Sequence, residues 1–261
     1  MPVTEKHAPG SFCWMELHTT DQGAAKQFYT SLFGWEIADF ALGPDEIYTI
    51  FRLRQRDCAA ACTLRPDLRQ QGVPPHWLLY IATADVDASA KQVVELGGKV
   101  VSGPFDVGES GRMAVVQDSA GAHFSLWQGK QTHGIGIAGE PGAFCWADLN
   151  TPARDGARRF YSALAGWSFT PGQGKDESTY LHIENGAAMI GGLPPAEAQP
   201  PGAPPHWLLY FMAEDCVALT SRAGELGARV YAGPMQIEGA GVISVLADPQ
   251  GAVFALFEPA V

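Results

Sequence analysis

A chain of 261 residues has room for one large domain or for two ordinary ones, each with its own core. Its formal net charge of −11 and pI of about 5.0 count against nucleic acid as a partner, because phosphate binding needs a positive surface. No apolar run is long enough to span a bilayer, and the N-terminal MPVTEKHAPG lacks a signal-peptide core. With five cysteines in no framework spacing, a soluble protein of the reducing cytoplasm is expected.

In chain order, residues 11–19 read as a strand and lead into a helix from about Asp21 to Phe33. Thr20 or Asp21 can cap it, Phe28 and Leu32 share a face, and Gly34 can close its end. Residues 47–53 and 58–64 read as strands, 65–75 as a polar connection, and 76–83 as another strand. A helix from about Asp85 to Leu96 ends at Gly97-Gly98, and strands follow near 99–102, 112–117 and 122–128. The glycine-rich segment 129–142 reads as a linker. Helices near 153–165 and 214–226 then repeat the plan.

The repetition is literal in places. Pro74-Pro75-His76-Trp77-Leu78-Leu79-Tyr80 recurs as Pro204-Pro205-His206-Trp207-Leu208-Leu209-Tyr210. Phe12-Cys13-Trp14 returns as Phe144-Cys145-Trp146, Phe28-Tyr29 as Phe160-Tyr161, and Gly34-Trp35 as Gly166-Trp167. Gly103-Pro104 returns as Gly233-Pro234, and the turn at Asp118 as the turn at Asp248. Two copies of one unit therefore fill the chain, with expected boundaries at 1–130 and 143–261 and a linker at 131–142. Each copy holds two β-α-β-β-β modules.

Asp21 followed by Phe28-Tyr29-x-x-Leu32-Phe33-Gly34-Trp35 resembles the signature of the vicinal oxygen chelate superfamily. That group includes glyoxalase I, bleomycin-resistance proteins and extradiol dioxygenases. The turn-and-strand segments at 118–124 and 248–254 resemble its last strand. The tandem arrangement with His-Trp-x-x-Tyr is most similar to a bacterial two-domain subgroup whose members carry hydroxylase or lyase labels. The resemblance implies an α+β fold of two tandem glyoxalase-like domains. In each, two modules curl into a U-shaped mixed sheet with helices outside and a site in the concave cup.

Residue alternation tests that geometry. On the first strand Cys13, Met15 and Leu17 form an apolar face, opposite Trp14, Glu16 and His18. Corresponding mixed faces elsewhere carry His76 and Tyr80, and His123, Ser125 and Trp127. Glu16 and His18 are the acid–base candidates, since histidine titrates near neutrality and a neighbouring carboxylate favours its charged form. Trp14, Tyr48, His76, Tyr80, Arg112, His123, Ser125 and Trp127 are candidate binding residues. Plainer roles compete: a backbone-bonded His76, a packed Tyr48, a solvated Arg112, and salt bridges from Arg52, Arg54 or Arg112 to Glu16.

The second copy offers Trp146, Asp148, Asn150, His206 and Tyr210 as its pocket. It is less titratable: Glu16 becomes Asp148, His18 becomes Asn150, His123 becomes Val253, Ser125 becomes Ala255 and Arg112 becomes Val242. Chemistry is expected in the first copy.

The metal positions implied by the resemblance fall on Trp14, Leu78, Ser125 and a residue near Ala61, and on Trp146, Leu208, Ala255 and a residue near Gly191. None is His, Glu or Gln, so no metal site and no cofactor are expected there. An unorthodox set of Glu16, His18, His76 and His123, or the lone pair Cys58 and Cys62, are the remaining options. The favoured function is a metal-independent lyase or isomerase acting on a small cyclic or aromatic compound. The alternatives are a sequestering protein of drug-resistance type and a divalent-metal glyoxalase or dioxygenase. The partner is a small molecule, and the chain a monomer or homodimer.

Overall fold

The computed structural model describes residues 6–44, 46–172, 179–199 and 202–260. The first half of the N-terminal stretch read above for a signal lies outside them. The first copy runs β1 (Phe12–Thr19), α1 (Gln22–Phe33), β2 (Glu36–Ala41), β3 (Ile47–Leu53), β4 (Arg56–Thr63), α2 (Pro66–Gln70), β5 (His76–Ala82), α3 (Val86–Glu95), β6 (Lys99–Val107), β7 (Gly111–Gln117) and β8 (His123–Gly129). The second runs β9 (Phe144–Asn150), α4 (Arg154–Ala165), β10 (Ser168–Pro171), β11 (Leu181–Asn185), β12 (Ala188–Leu193), a 3₁₀ turn, β13 (His206–Met212), α5 (Cys216–Glu225), β14 (Arg229–Ile237), β15 (Gly241–Ala247) and β16 (Val253–Pro259).

Local chemistry explains most boundaries. The Asp21 side chain accepts from the Ala24 amide at 2.9 Å and starts α1, and Gly34, at φ 69°, stops it in a left-handed cap. Asp85 and Asp215 start α3 and α5 in the same way. The start of α4 differs, because Ala153 stands at its N-cap and supplies no side-chain bond. The polar connection 65–75 contains a short helix, α2, with a proline in its first turn. The strand expected near 99–102 extends to Val107 as β6.

Each copy builds one eight-stranded mixed sheet, in the orders β2-β3-β4-β1-β5-β8-β7-β6 and β10-β11-β12-β9-β13-β16-β15-β14. Within each module the first and last strands run parallel, β1 with β4, β5 with β8, β9 with β12 and β13 with β16, and the other neighbouring strands of a module pair antiparallel. The architecture is α+β, as the resemblance implies.

Packing cuts across this division. The chain forms two compact units, each drawing one module from each copy. One unit contains Met15–Trp77, Ile135–Cys145 and Leu209–Val261. Inside it the Tyr29 hydroxyl of α1 donates to Asp248 Oδ2 at 2.9 Å, and the Trp77 indole donates to the Tyr29 oxygen at 3.1 Å. Trp35 donates to the carbonyl of Gly142 at 2.8 Å. Phe33, Phe51, Phe211 and Phe254 complete an aromatic core around Tyr29 and Trp35.

The other unit contains the chain up to Trp14 with Leu78–Gly134 and Trp146–Leu208. It repeats the same bonds with the copies exchanged. Tyr161 donates to Asp118 Oδ2 at 3.2 Å, Trp207 to Tyr161 at 3.2 Å, and Trp167 to the carbonyl of Gly10 at 2.8 Å. The segment 129–142 is tied down as well as connecting. Ile135 and Ile137 are buried, and the Gly136 amide donates to the Asp57 carbonyl at 2.7 Å.

Candidate active site

On β1 the alternation separates two environments. Cys13, Met15 and Leu17 are fully buried on the apolar face. Glu16, on the opposite face, is 8% exposed and bonded from several sides. The His18 Nε2 lies 2.8 Å from Glu16 Oε1, and the Tyr48 hydroxyl of β3 donates to Glu16 Oε2 at 2.7 Å. The Cys62 thiol of β4 approaches Oε1 at 3.9 Å. These contacts offset the cost of burying a carboxylate. The strands dictate the grouping, because parallel β1 and β4 place His18 opposite Cys62 while β3 places Tyr48 opposite Cys62.

His76, at the start of β5, stacks on His18 with ring centroids 4.9 Å apart and planes 8° from parallel. Its Nδ1 sits 2.8 Å from the Pro74 carbonyl, the backbone bond expected for it. His18 Nδ1 is buried and finds no hydrogen-bond partner among the described residues. Burial, and next the Glu16 charge, push the Cys62 thiol far above the usual cysteine range. It is a neutral thiol at physiological pH.

The remaining first-copy candidates belong to the other unit. Tyr80 and Ser125 are paired in register on β5 and β8, and the Tyr80 and Trp127 rings are 6.4 Å apart. The buried Ser125 hydroxyl has no partner among the described residues, and Trp127 donates to the Thr132 carbonyl at 3.0 Å. Trp14 is buried, and His123 is exposed beside Gln117 at 3.5 Å. Arg112 holds Asp87 with two bonds of 2.7 and 2.9 Å and lies 3.5 Å from Asp106. Its guanidinium is therefore engaged by two carboxylates. Arg52 pairs with Asp57, and Arg54 and Arg56 pair with Glu140.

The second copy ties the equivalent carboxylate into a closed knot. Asp148 Oδ1 accepts from Tyr180 at 2.6 Å and from the Trp146 indole at 3.0 Å, and that indole also reaches the Tyr180 oxygen at 2.8 Å. Burial first, then the Asp148 charge, hold the Tyr180 phenol far above its ordinary range. Asn150 and Tyr210 are buried, and His206 keeps the backbone bond of its twin, 2.8 Å from the Pro204 carbonyl. Sequence reading missed His182, whose ring packs edge-on against Trp146 and Tyr180 at centroid distances of 5.9 and 5.5 Å. It also missed the approach of Cys62 to Glu16, which only the β1–β4 register reveals.

The model of the Glyoxalase/Bleomycin resistance protein/Dioxygenase superfamily matches residues 12–126, and that of the Glyoxalase-like domain matches residues 146–257. A Mycobacterium tuberculosis protein named "Putative glyoxylase CFP32" is 38% identical over 261 residues, spanning 100% of this chain and 99% of the relative. The chain belongs to the glyoxalase/bleomycin resistance protein/dioxygenase superfamily. A second relative, the Streptomyces peucetius "Anthracycline biosynthesis protein DnrV", is 34% identical over 97% of this chain and 94% of its own length. Among solved structures, the Mn(II)-bound glyoxalase of Novosphingobium aromaticivorans matches with TM-score 0.66 at 16% identity, covering 96% of this chain and 82% of that one. A homoprotocatechuate 2,3-dioxygenase variant from B. fuscum matches with TM-score 0.66 at 17% identity, covering 98% and 73%. These two likenesses concern the fold.

The superfamily's implied metal can be tested against side-chain chemistry. The positions carried over by resemblance hold an indole (Trp14), an alkyl group (Leu78) and a hydroxyl (Ser125) in the first copy, and no better donor in the second. Indole and alkyl groups offer no lone pair suited to a divalent cation, and a hydroxyl is a poor ligand. A metal at those positions does not fit this chain. Cys58 and Cys62 are also no pair, because four residues of extended strand put about 13 Å between them.

Proposed function

We propose that the first copy performs proton transfer on a small cyclic or aromatic compound, as a lyase or isomerase. The contact that carries the reading is the 2.8 Å bond between Glu16 and His18, held from the far side by Tyr48 at 2.7 Å. With Glu16 ionised, the His18 ring keeps its proton on Nε2 and presents the Nδ1 lone pair as a base. Glu16 fixes the tautomer and stabilises the charge that forms when Nδ1 takes a proton from substrate carbon. Returning that proton to another atom completes an isomerisation, and expelling a leaving group completes an elimination. No ion at the superfamily's usual positions is required.

The relative named for anthracycline biosynthesis directs attention to polycyclic aromatic ketones as ligands. Chromatographic conversion of a panel of such compounds by the wild type, Glu16→Gln and His18→Ala tests the reading. Conversion by the wild type alone supports it, and equal conversion by all three overturns it. One observation favours binding without chemistry: His18 Nδ1 is covered, so a ligand must displace a neighbour to reach it. Tight binding with every ligand recovered unchanged would select that second reading.

A further inference from the structure

We propose that Glu16, His18 and Cys62 form a binding site for a borderline-soft divalent cation such as Zn²⁺, at one ion per chain. This goes beyond the proton-transfer reading and uses two of the same residues. One carboxylate oxygen, one imidazole nitrogen and one sulfur all lie within 4.8 Å of one another. The two contacts to Glu16 Oε1 are 2.8 Å from His18 Nε2 and 3.9 Å from Cys62 Sγ. Tetrahedral Zn²⁺, with bonds of roughly 2.0 Å to N and O and 2.3 Å to S, separates its ligands by about 3.3–3.6 Å. The existing spacing brackets that range, so shifts within side-chain freedom complete the site.

The donors rest on rigid elements. Parallel pairing of β1 and β4 sets His18 opposite Cys62. Tyr48 orients Glu16 through its other oxygen, and His76 lies flat against the His18 ring. Such supporting contacts are what hold ligands in place around an ion. The donor set also selects: a thiolate and an imidazole favour Zn²⁺ over Mg²⁺ or Ca²⁺, and three protein ligands leave one position open. These residues lie elsewhere on β1 and β4 than the positions the superfamily resemblance names.

Proton bookkeeping closes. The Cys62 thiol releases one proton to solvent on binding. The His18 ring coordinates through Nε2 and carries its proton on Nδ1, the nitrogen without a partner among the described residues. The second copy has Asp148, Asn150 and Pro194 at the equivalent positions, so it offers no nitrogen or sulfur donor. That predicts a single ion.

The test uses the full chain freed of metal by a chelator, titrated with Co²⁺ as spectroscopic probe and with Zn²⁺ by calorimetry. The expected result is one equivalent per chain, a near-ultraviolet thiolate-to-cobalt band, and loss of that band in Cys62→Ala. Zn²⁺ affinity should fall at least about tenfold in Cys62→Ala and in His18→Asn. No thiolate band in the wild type, a band that survives Cys62→Ala, or two equivalents per chain would overturn the site. Circular dichroism checks folding, and if Cys62→Ala does not fold, His18→Asn decides alone. Proton transfer is assayed on metal-free protein, so either idea can fail while the other stands.

Discussion

The hydroxyl of Tyr180 occupies space that a β-carbon on Gly192 would fill, 1.7 Å from the position that atom would take. In the first copy Ala60 stands where Gly192 stands, facing Glu16 as Gly192 faces Asp148. There the carboxylate is one methylene longer, and Tyr48 meets it at Oε2 with the alanine in place. A missing methyl group thus lets the second copy fold its tyrosine and tryptophan over the carboxylate. Gly192→Ala should displace Tyr180 and cost about 1–3 kcal/mol through overpacking. Thermal denaturation measures the loss, and an unchanged melting temperature would contradict the knot.

The exchanged bonds between copies predict paired stability effects. Tyr29→Phe strips a donor from buried Asp248 and an acceptor from the Trp77 indole. Tyr161→Phe does the same to Asp118 and Trp207. Each should cost about 1–3 kcal/mol in urea denaturation, because buried polar groups are left unsatisfied. Loss in only one of the two variants would break the equivalence.

The same tyrosines fix the alkaline limit. Burial first, with Asp248 and Asp118 next, holds the Tyr29 and Tyr161 phenols well above the ordinary tyrosine range near pH 10. Above that pH the unfolded chain loses protons that the folded chain keeps. Their stabilisation is therefore complete below about pH 10 and falls as pH rises, by up to roughly 1.4 kcal/mol per pH unit for each group. Urea midpoints should drop across this window, with a shallower slope in Tyr29→Phe and Tyr161→Phe.

Cysteine chemistry should be suppressed in the native state. Burial raises all five thiols, Cys145 to about 12 and Cys13, Cys58 and Cys62 further. Since the thiolate is the nucleophile, a thiol reagent at pH 8 should label the native chain slowly and the denatured chain fully. Rapid native labelling of Cys62 would show that its environment is more open than the Glu16 contact implies.

Much of this was legible in the sequence where the signal is local. Asp21 and Gly34 bracket α1, and the apolar set Cys13, Met15 and Leu17 correctly marks the buried face of β1. Glu16 and His18, two apart on one strand, necessarily share the other face. What was hidden depends on distant pairing. Nothing near Tyr29 announces a partner 219 residues away, and Cys62 meets Glu16 only because β4 runs parallel to β1. Arg112 stands among the binding candidates in the sequence, and its engagement by Asp87 and Asp106 is hidden there because these lie 25 and 6 residues away with no pattern linking them to it.

In the proposed function His18, held by Glu16, moves a proton and the second copy does not. Deuterium incorporation at the acidic carbon of a bound polycyclic ketone, followed by mass spectrometry in heavy water on metal-free protein, tests it most directly. The expected outcome is catalysed exchange by the wild type and by Asp148→Asn, with a loss on the order of 10²–10⁴-fold in His18→Ala. Exchange that is unchanged in His18→Ala, or that vanishes in Asp148→Asn instead, would contradict the account.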